Sequence, residues 1–291
     1  MKFCSILLFA IGASAFTTTT TLPSAQFKIG QKHTRMNLFN FGTSSSSGGS
    51  ASVPKSSSDR DNQAIQAVKA AISNPRNPSN PLLECEFPAL EALNKLGDGS
   101  LRSALEAEDA NLAFVQKLIK GIRGPFGSEK VALVVSSAAS NSFLSKAQKI
   151  GGVTLYSLKD GVPNCSSQDV CIFVTPSTRN DYKIANSLAE SNQAKAVVIV
   201  NGFAKDQKSI SGSATMAYFL KPLTYNSQIA GYLIRSYPSD WTVLDGFSKE
   251  VLGTYSDDEI LVKKTNTPDL RNAGRLVQKS VDERAIRARQ K

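Results

Sequence analysis

Three five-residue apolar runs, Val131 to Val135, Val170 to Val174 and Ala196 to Val200, constrain this chain more than any other feature of its sequence. A strand with one wet face alternates apolar and polar residues, whereas a continuous run must be covered on both faces. Helical patterns lie between the runs. Residues 140 to 150 form one, closed by Gly151-Gly152; residues 179 to 191 form another, with Ile184 and Leu188 facing inward. A further strand is expected over Val153 to Leu158. Buried strands alternating with helices predict an α/β fold, a largely parallel sheet flanked by helices on both faces.

The flanking segments extend this plan. Ser58 or Asp59 can cap a helix whose apolar positions, Ala64, Ile65, Val68, Ala71 and Ile72, recur in steps of three and four. Asn74-Pro75 ends it, because a residue before proline avoids the helical region. Leu83, Cys85 and Phe87 alternate with Glu84 and Glu86, which reads as a strand with one apolar face and a solvated carboxylate face. Leu112, Val115, Leu118, Ile119 and Ile122 mark another helix. Met216 to Leu220, Tyr232 to Ile234 and Trp241 to Leu244 are closely spaced, with no long helix between them. They predict antiparallel strands added near the C-terminal end of the sheet. Residues 268 to 291 are a basic helix candidate with a loosely marked apolar face.

The formal net charge of +10 suggests a nucleic-acid binder until its distribution is examined. Residues 1 to 58 hold five basic and no acidic side chains, and residues 263 to 291 hold nine basic and three acidic. Residues 59 to 262 keep 20 basic and 21 acidic groups, so the body is almost neutral and offers no phosphate-backbone footprint.

The basic start has the form of an address. Lys2, the apolar run from Ile6 to Ile11 and the small residues Ala13-Ser14-Ala15 form a signal peptide over residues 1–15. Residues 16–58 are hydroxyl-rich and acid-free, as in a transit peptide, and run into the Ser/Gly tract Ser44 to Ser52. A signal peptide joined to a transit peptide at Phe16 resembles the two-part presequence of algae with secondary plastids. The expected division is therefore 1–15 signal peptide, 16–58 transit peptide and linker, 59–262 α/β domain, and 263–291 basic helix or tail. The expected location is the plastid, in the stroma or at the thylakoid periphery, with no transmembrane segment after the presequence.

Chemistry-bearing motifs are sparse. His33, the single histidine, falls in the presequence, so no histidine-based triad or histidine metal site is expected after cleavage. Cys85 and Cys171 sit in apolar runs and Cys165 in a loop; their spacing fits no zinc pattern. No phosphate loop, dinucleotide fingerprint or nucleophile elbow occurs. Gly124 to Lys130 is Gly-rich but precedes a strand, and so reads as a turn. No catalytic residue, cofactor or metal is expected. Glu84 and Glu86 read as a solvated strand face, and Asp257-Asp258-Glu259 as an acidic surface turn. Asn201-Gly202 ends a parallel strand, where open sheets bind ligands, although a polar turn there needs no ligand. The candidate ligand or partner residues are Glu86, Asn201, Lys221, Arg235 and Trp241, with structural packing as the alternative for Trp241.

Four segments in order resemble one family. Glu84-Cys85-Glu86-Phe87-Pro88 is similar to its Glu-x-Glu-Phe-Pro signature, and Val197 to Gly202 to its central strand, with Gly202 where the family often has Pro. Tyr218 to Leu223 resembles its aromatic strand, and Gly231 to Trp241 its closing Arg-x-Tyr-Pro-x-x-Trp segment. The chain is thereby identified as a member of the domain of unknown function nineteen ninety-five family, over about residues 59 to 250. That family occurs in plants, algae and cyanobacteria and includes the low photosystem II accumulation three proteins. The resemblance implies a non-enzymatic role in assembling or maintaining photosystem II, with a plastid protein subunit or assembly factor as partner and no nucleic acid. Two alternatives stay open. One is an enzyme or sensor holding a small phosphorylated ligand near Asn201, Lys221 and Arg235. The other is a peripheral membrane protein docked by its basic tail.

Overall fold

The computed structural model describes residues 52–89, 101–125, 127–202, 214–262 and 265–290. The signal peptide, the Phe16 junction and His33 lie outside the described residues, as does most of the transit segment. The elements are α1 (Ser57–Ser73), β1 (Leu82–Glu86), α2 (Leu101–Arg123), β2 (Val131–Val135), α3 (Asn141–Ala147), β3 (Thr154–Ser157), β4 (Val170–Val174), α4 (Arg179–Glu190), β5 (Ala196–Val200), β6 (Thr215–Tyr225), β7 (Gln228–Ser236), β8 (Trp241–Asp245), β9 (Val251–Tyr255), α5 (Asp257–Val262) and α6 (Leu270–Arg289).

The strands form one sheet in the order β3-β2-β4-β5-β1-β6-β7-β8-β9. Pairings from β3 through β6 are parallel, and those from β6 through β9 are antiparallel. The expected α/β fold, mostly parallel with antiparallel strands near the C-terminal end, is what the chain adopts. Every residue of β2, β4 and β5 is buried, as their unbroken apolar runs require. One face of the sheet packs against α1, α2 and α3 through Val68, Val115, Leu118 and Phe143. The other face packs against α4 through Tyr182, Ala185 and Leu188, and against α5 and α6 through Ile260, Ala273 and Val277.

Local departures have identifiable causes. Helix α1 is capped by Ser56 rather than Ser58 or Asp59: the extended backbone of Ser56 lets its Oγ accept from Asp59 N at 3.1 Å. Strand β1 is not half-solvated. It lies between β5 and β6, and Glu84 is only 2% exposed because the chain before α6 covers it, Asn266 Nδ2 donating to Glu84 Oε2 at 2.6 Å. Strand β6 runs through Pro222 because β1 pairs with it only as far as Phe219. Beyond that point it has β7 on one side alone, where a missing N–H costs little. Strand β9 was hidden in the sequence by Gly253, where a Cβ would lie 2.8 Å from Leu276 Cδ1 of α6. Asp257-Asp258-Glu259 is the first turn of α5 rather than a surface turn, a placement that suits a helix N-terminus. Helix α6 is continuous over 20 residues.

Candidate functional site

The connection from β2 passes over the α3 face of the sheet, and the connection from β4 passes over the α4 face. Their carboxyl ends therefore diverge, which is the crevice where open α/β sheets hold ligands. Ser136 and Ser137 follow β2; Thr175, Ser177 and Thr178 follow β4. Between them lies Asp181, in the first turn of α4 and fully buried. Ser136 Oγ and Ser137 Oγ each donate to its carboxylate at 2.7 Å. Ser177 N and Thr178 N donate at 3.1 and 3.2 Å. Thr178 Oγ1 accepts from Asp181 N at 3.1 Å, completing a reciprocal cap. Burial alone would raise the Asp181 pKa, but these donors outweigh it and hold the carboxyl below its usual range. A helix start beside parallel strand ends offers N–H groups to an anion. Here the protein's own carboxylate takes them.

Two strands away, Asn201 closes β5 with a positive φ of 46°. Its Oδ1 accepts from Phe87 N at 2.8 Å and its Nδ2 donates to Asn111 Oδ1 at 2.7 Å. Its own N–H donates to Cys85 O at 2.9 Å. Asn201 thus ties the ends of β5 and β1 to α2. Phe87, next in the chain after β1, sits edge-on to Phe114 with centroids 4.8 Å apart, and Arg60 lies over its ring at 4.4 Å. Gly202 admits the ring of Tyr182: a Cβ there would fall 1.8 Å from the Tyr182 hydroxyl. That hydroxyl is buried, with no hydrogen-bond partner among the described residues. Burial, with Glu84 and Asp181 nearby, pushes its pKa up.

Arg235 and Trp241 do come together. Both are 1% exposed. Arg235 Nη2 meets Asp257 Oδ2 at 2.6 Å and its Nε donates to Met216 O at 2.7 Å. Trp241 Nε1 donates to the other Asp257 oxygen at 3.2 Å, and Arg76 Nη1 approaches Asp257 at 2.8 Å. The guanidinium of Arg235 lies 5.6 Å from the Trp241 ring centroid, a cation–π distance. Burial lowers the Arg235 pKa, against the attraction of Asp257. The cluster joins β7, β8 and α5 to the segment after α1. Lys221 stands exposed on β6, and Glu86 is half-buried at the end of β1.

A family model described as Domain of unknown function (DUF1995) matches residues 54–258. The chain belongs to this family. No curated protein matches it. The DUF1995 match begins just before the capping Ser56 and ends inside α5, after Asp257. It thus includes the Asp181 crevice, the Asn201 tie and the whole Arg235 cluster.

Cavities of about 560, 440 and 180 Å³ are bounded by described residues, and none has Glu86, Asn201, Lys221, Arg235 or Trp241 in its wall. Among the described residues no group of three or more His, Cys, Asp or Glu side chains is placed to hold a metal ion, and no helix is long and apolar enough to cross a membrane. Cys85, Cys165 and Cys171 are buried thiols that form no disulfide among the described residues; the hydrogen bond with Cys165, with burial behind it, pushes the Cys171 thiol up. The Asp181 constellation was missed from sequence, although its local signal was present. Thr178 and Asp181 stand three apart at the head of a helical pattern, as capping partners do. The convergence of Ser136 and Ser137 on that carboxylate required the fold.

Proposed function

We propose that this chain is a non-catalytic binding protein of the plastid that serves in the assembly or maintenance of photosystem II. One observation carries the reading: the buried polar residues of the family motifs are engaged in internal bonds. Glu84 meets Asn266, Asn201 ties β1 to α2, and Arg235 and Trp241 share Asp257. Residues so engaged hold a shape, and a shape is what a partner protein recognises. The Ser136 and Ser137 hydroxyls at the end of β2 are likewise given to Asp181. Two surface features support a protein partner. Among the described residues the sheet ends in an edge strand, β9, with Val251 half-exposed on it. Phe247, in the β8–β9 turn, is 84% exposed. The two-part presequence supports the plastid, and the resemblance to low photosystem II accumulation three proteins supports the process.

Affinity purification of the tagged chain from isolated plastids, followed by mass spectrometry, is the direct test. A photosystem II subunit or assembly factor is expected among the captured proteins. Deleting the gene is expected to lower photosystem II accumulation. Normal photosystem levels and normal growth in light after deletion would overturn the proposal.

A further inference from the structure

Helices α2 and α3 run back across the sheet, so their C-terminal ends meet at the amino edge of the parallel strands, opposite Asp181 and Asn201. A cavity of about 560 Å³ opens there. That size suits a small ligand, for which pockets of roughly 300–1,000 Å³ are usual. Lys120, Arg123 and Lys149 line it, with Gln116 beside them and Ile119 and Ile150 as an apolar floor. No carboxylate among the described residues lines it.

Three lysines of this body pair with a carboxylate: Lys117 with Asp61, Lys146 with Asp109 and Lys195 with Asp169. The ammonium groups of Lys120 and Lys149, like that of the exposed Lys221, have no hydrogen bond or ion pair among the described residues; what sets these two apart is that they share one cavity with Arg123. Arg123 is held in place, its Nη1 donating to Gly152 O at 3.0 Å. Its Nε is buried and has no hydrogen-bond partner among the described residues. Cations near a helix C-terminus are favourable in themselves, which accounts for Arg123 and for Lys120 in the last turn of α2. That effect fades within a turn. Lys149 follows the C-cap Gln148 of α3 and lies within that turn, so the helix ends account for each cation singly but not for three of them facing one cavity. Three cations around one cavity with no counter-charge repel one another until an anion enters. A carboxylate monoanion would leave two charges uncompensated. A phosphate dianion matches better, and lysine and arginine are both good phosphate donors.

We propose that this cavity binds a small ligand through a phosphate group, with Lys120, Arg123 and Lys149 supplying the charge and Ile119 and Ile150 receiving its carbon portion. The site is independent of the assembly role proposed above.

The test uses the full chain in phosphate-free buffer at low salt. Glycerol 3-phosphate is titrated by calorimetry, and binding to vesicles of neutral lipid with and without phosphatidylglycerol is measured by sedimentation. The double variant Lys120→Gln, Lys149→Gln changes only exposed side chains, so its unliganded melting temperature should match that of the parent. Binding of glycerol 3-phosphate that falls at least tenfold in the double variant supports a soluble ligand. Binding confined to phosphatidylglycerol vesicles, lost in the same variant, supports a lipid headgroup as the source. In either case added NaCl should weaken it, as screening of exposed charges requires. Absence of binding in both arms, or binding that the double variant retains in full, overturns the proposal.

Discussion

Arg235 keeps a full charge at 1% exposure, and Asp257 makes this tolerable. Removing one partner of a buried pair strands the other and typically costs about 3–5 kcal/mol, whereas exposed pairs are worth about 0–1 kcal/mol. Asp257→Ala should therefore destabilise the chain by about 3 kcal/mol or more, and Arg76→Ala, on the wetter side of the same carboxylate, by under about 1 kcal/mol. Urea denaturation of the two variants checks this; equal losses would contradict the assignment of Arg235 as the dependent charge. Asn201 offers a second residue-level test. Asn201→Gly and Asn201→Ala both strand the buried Phe87 N–H, at about 1–3 kcal/mol. Alanine must in addition adopt the positive φ, at about 1 kcal/mol more. Denaturation should rank alanine below glycine, and the reverse order would show that the backbone relaxes.

At the scale of elements, α6 acts as a lid on the antiparallel half of the sheet. Ala273 and Val277 are buried against a cluster containing Met216, Phe219, Leu233 and Val243. Truncation after Pro268 should expose that cluster, giving dye binding to apolar surface and loss of cooperative melting. A truncated chain that melts sharply would show that α6 is dispensable. Gly202 sets the approach of α4 to β5. Gly202→Ala places a methyl 1.8 Å from the Tyr182 hydroxyl, so a drop in melting temperature is expected; Tyr182→Phe should rescue it only in part, because the ring carbon Cζ still lies 2.8 Å away.

Legibility from sequence divides along the same elements. Strands β2, β4 and β5 were readable because burial on both faces leaves an unbroken apolar run. Strand β1 misled, because Glu84 and Glu86 mimic a wet face. What covers Glu84 is Asn266, 182 residues away, and no local pattern carries that pairing. Asp257 was visible as an acid but not as the partner of Arg235, since only the β7–β8–α5 arrangement brings them together. Of the candidate residues, Arg235 and Trp241 meet at Asp257, while Lys221 and Asn201 belong to other strands.

For the whole molecule, two buried carboxylates govern behaviour in acid. Burial would raise Asp245, but hydrogen bonds from Arg284, Ser248 N, Ser280 and Phe247 N outweigh it, and its carboxyl lies far below the ordinary range; Asp181 is lowered in the same sense. A lowered folded pKa means that the unfolded chain binds protons first. Their contribution is therefore complete above the unfolded carboxyl pKa of about 4 and fades as pH falls through it toward the folded values. Unfolding free energy should be flat near pH 6 to 7 and fall steeply below about pH 4. In Asp181→Asn, which removes the anion its hydroxyl and amide donors face, the fall should be shallower; an unchanged profile would assign the acid response elsewhere.

The order of strands in space differs from their order in synthesis, and this has a consequence for how the molecule can be made. Strand β1, the first of the described strands to leave a ribosome or a translocation pore, sits near the middle of the sheet, and its neighbours are β5 and β6. Leu82–Glu86 thus emerges more than a hundred residues before Ala196–Val200 exists to pair with it. Until then its backbone has no ladder and Leu82, Leu83 and Cys85 have no complete core. The chain is obliged to wait, and a waiting apolar strand is what holdase chaperones bind. Ribosome-stalled chains ending near residue 195 should be protease-sensitive throughout, and resistance should appear abruptly, only after β6 has emerged.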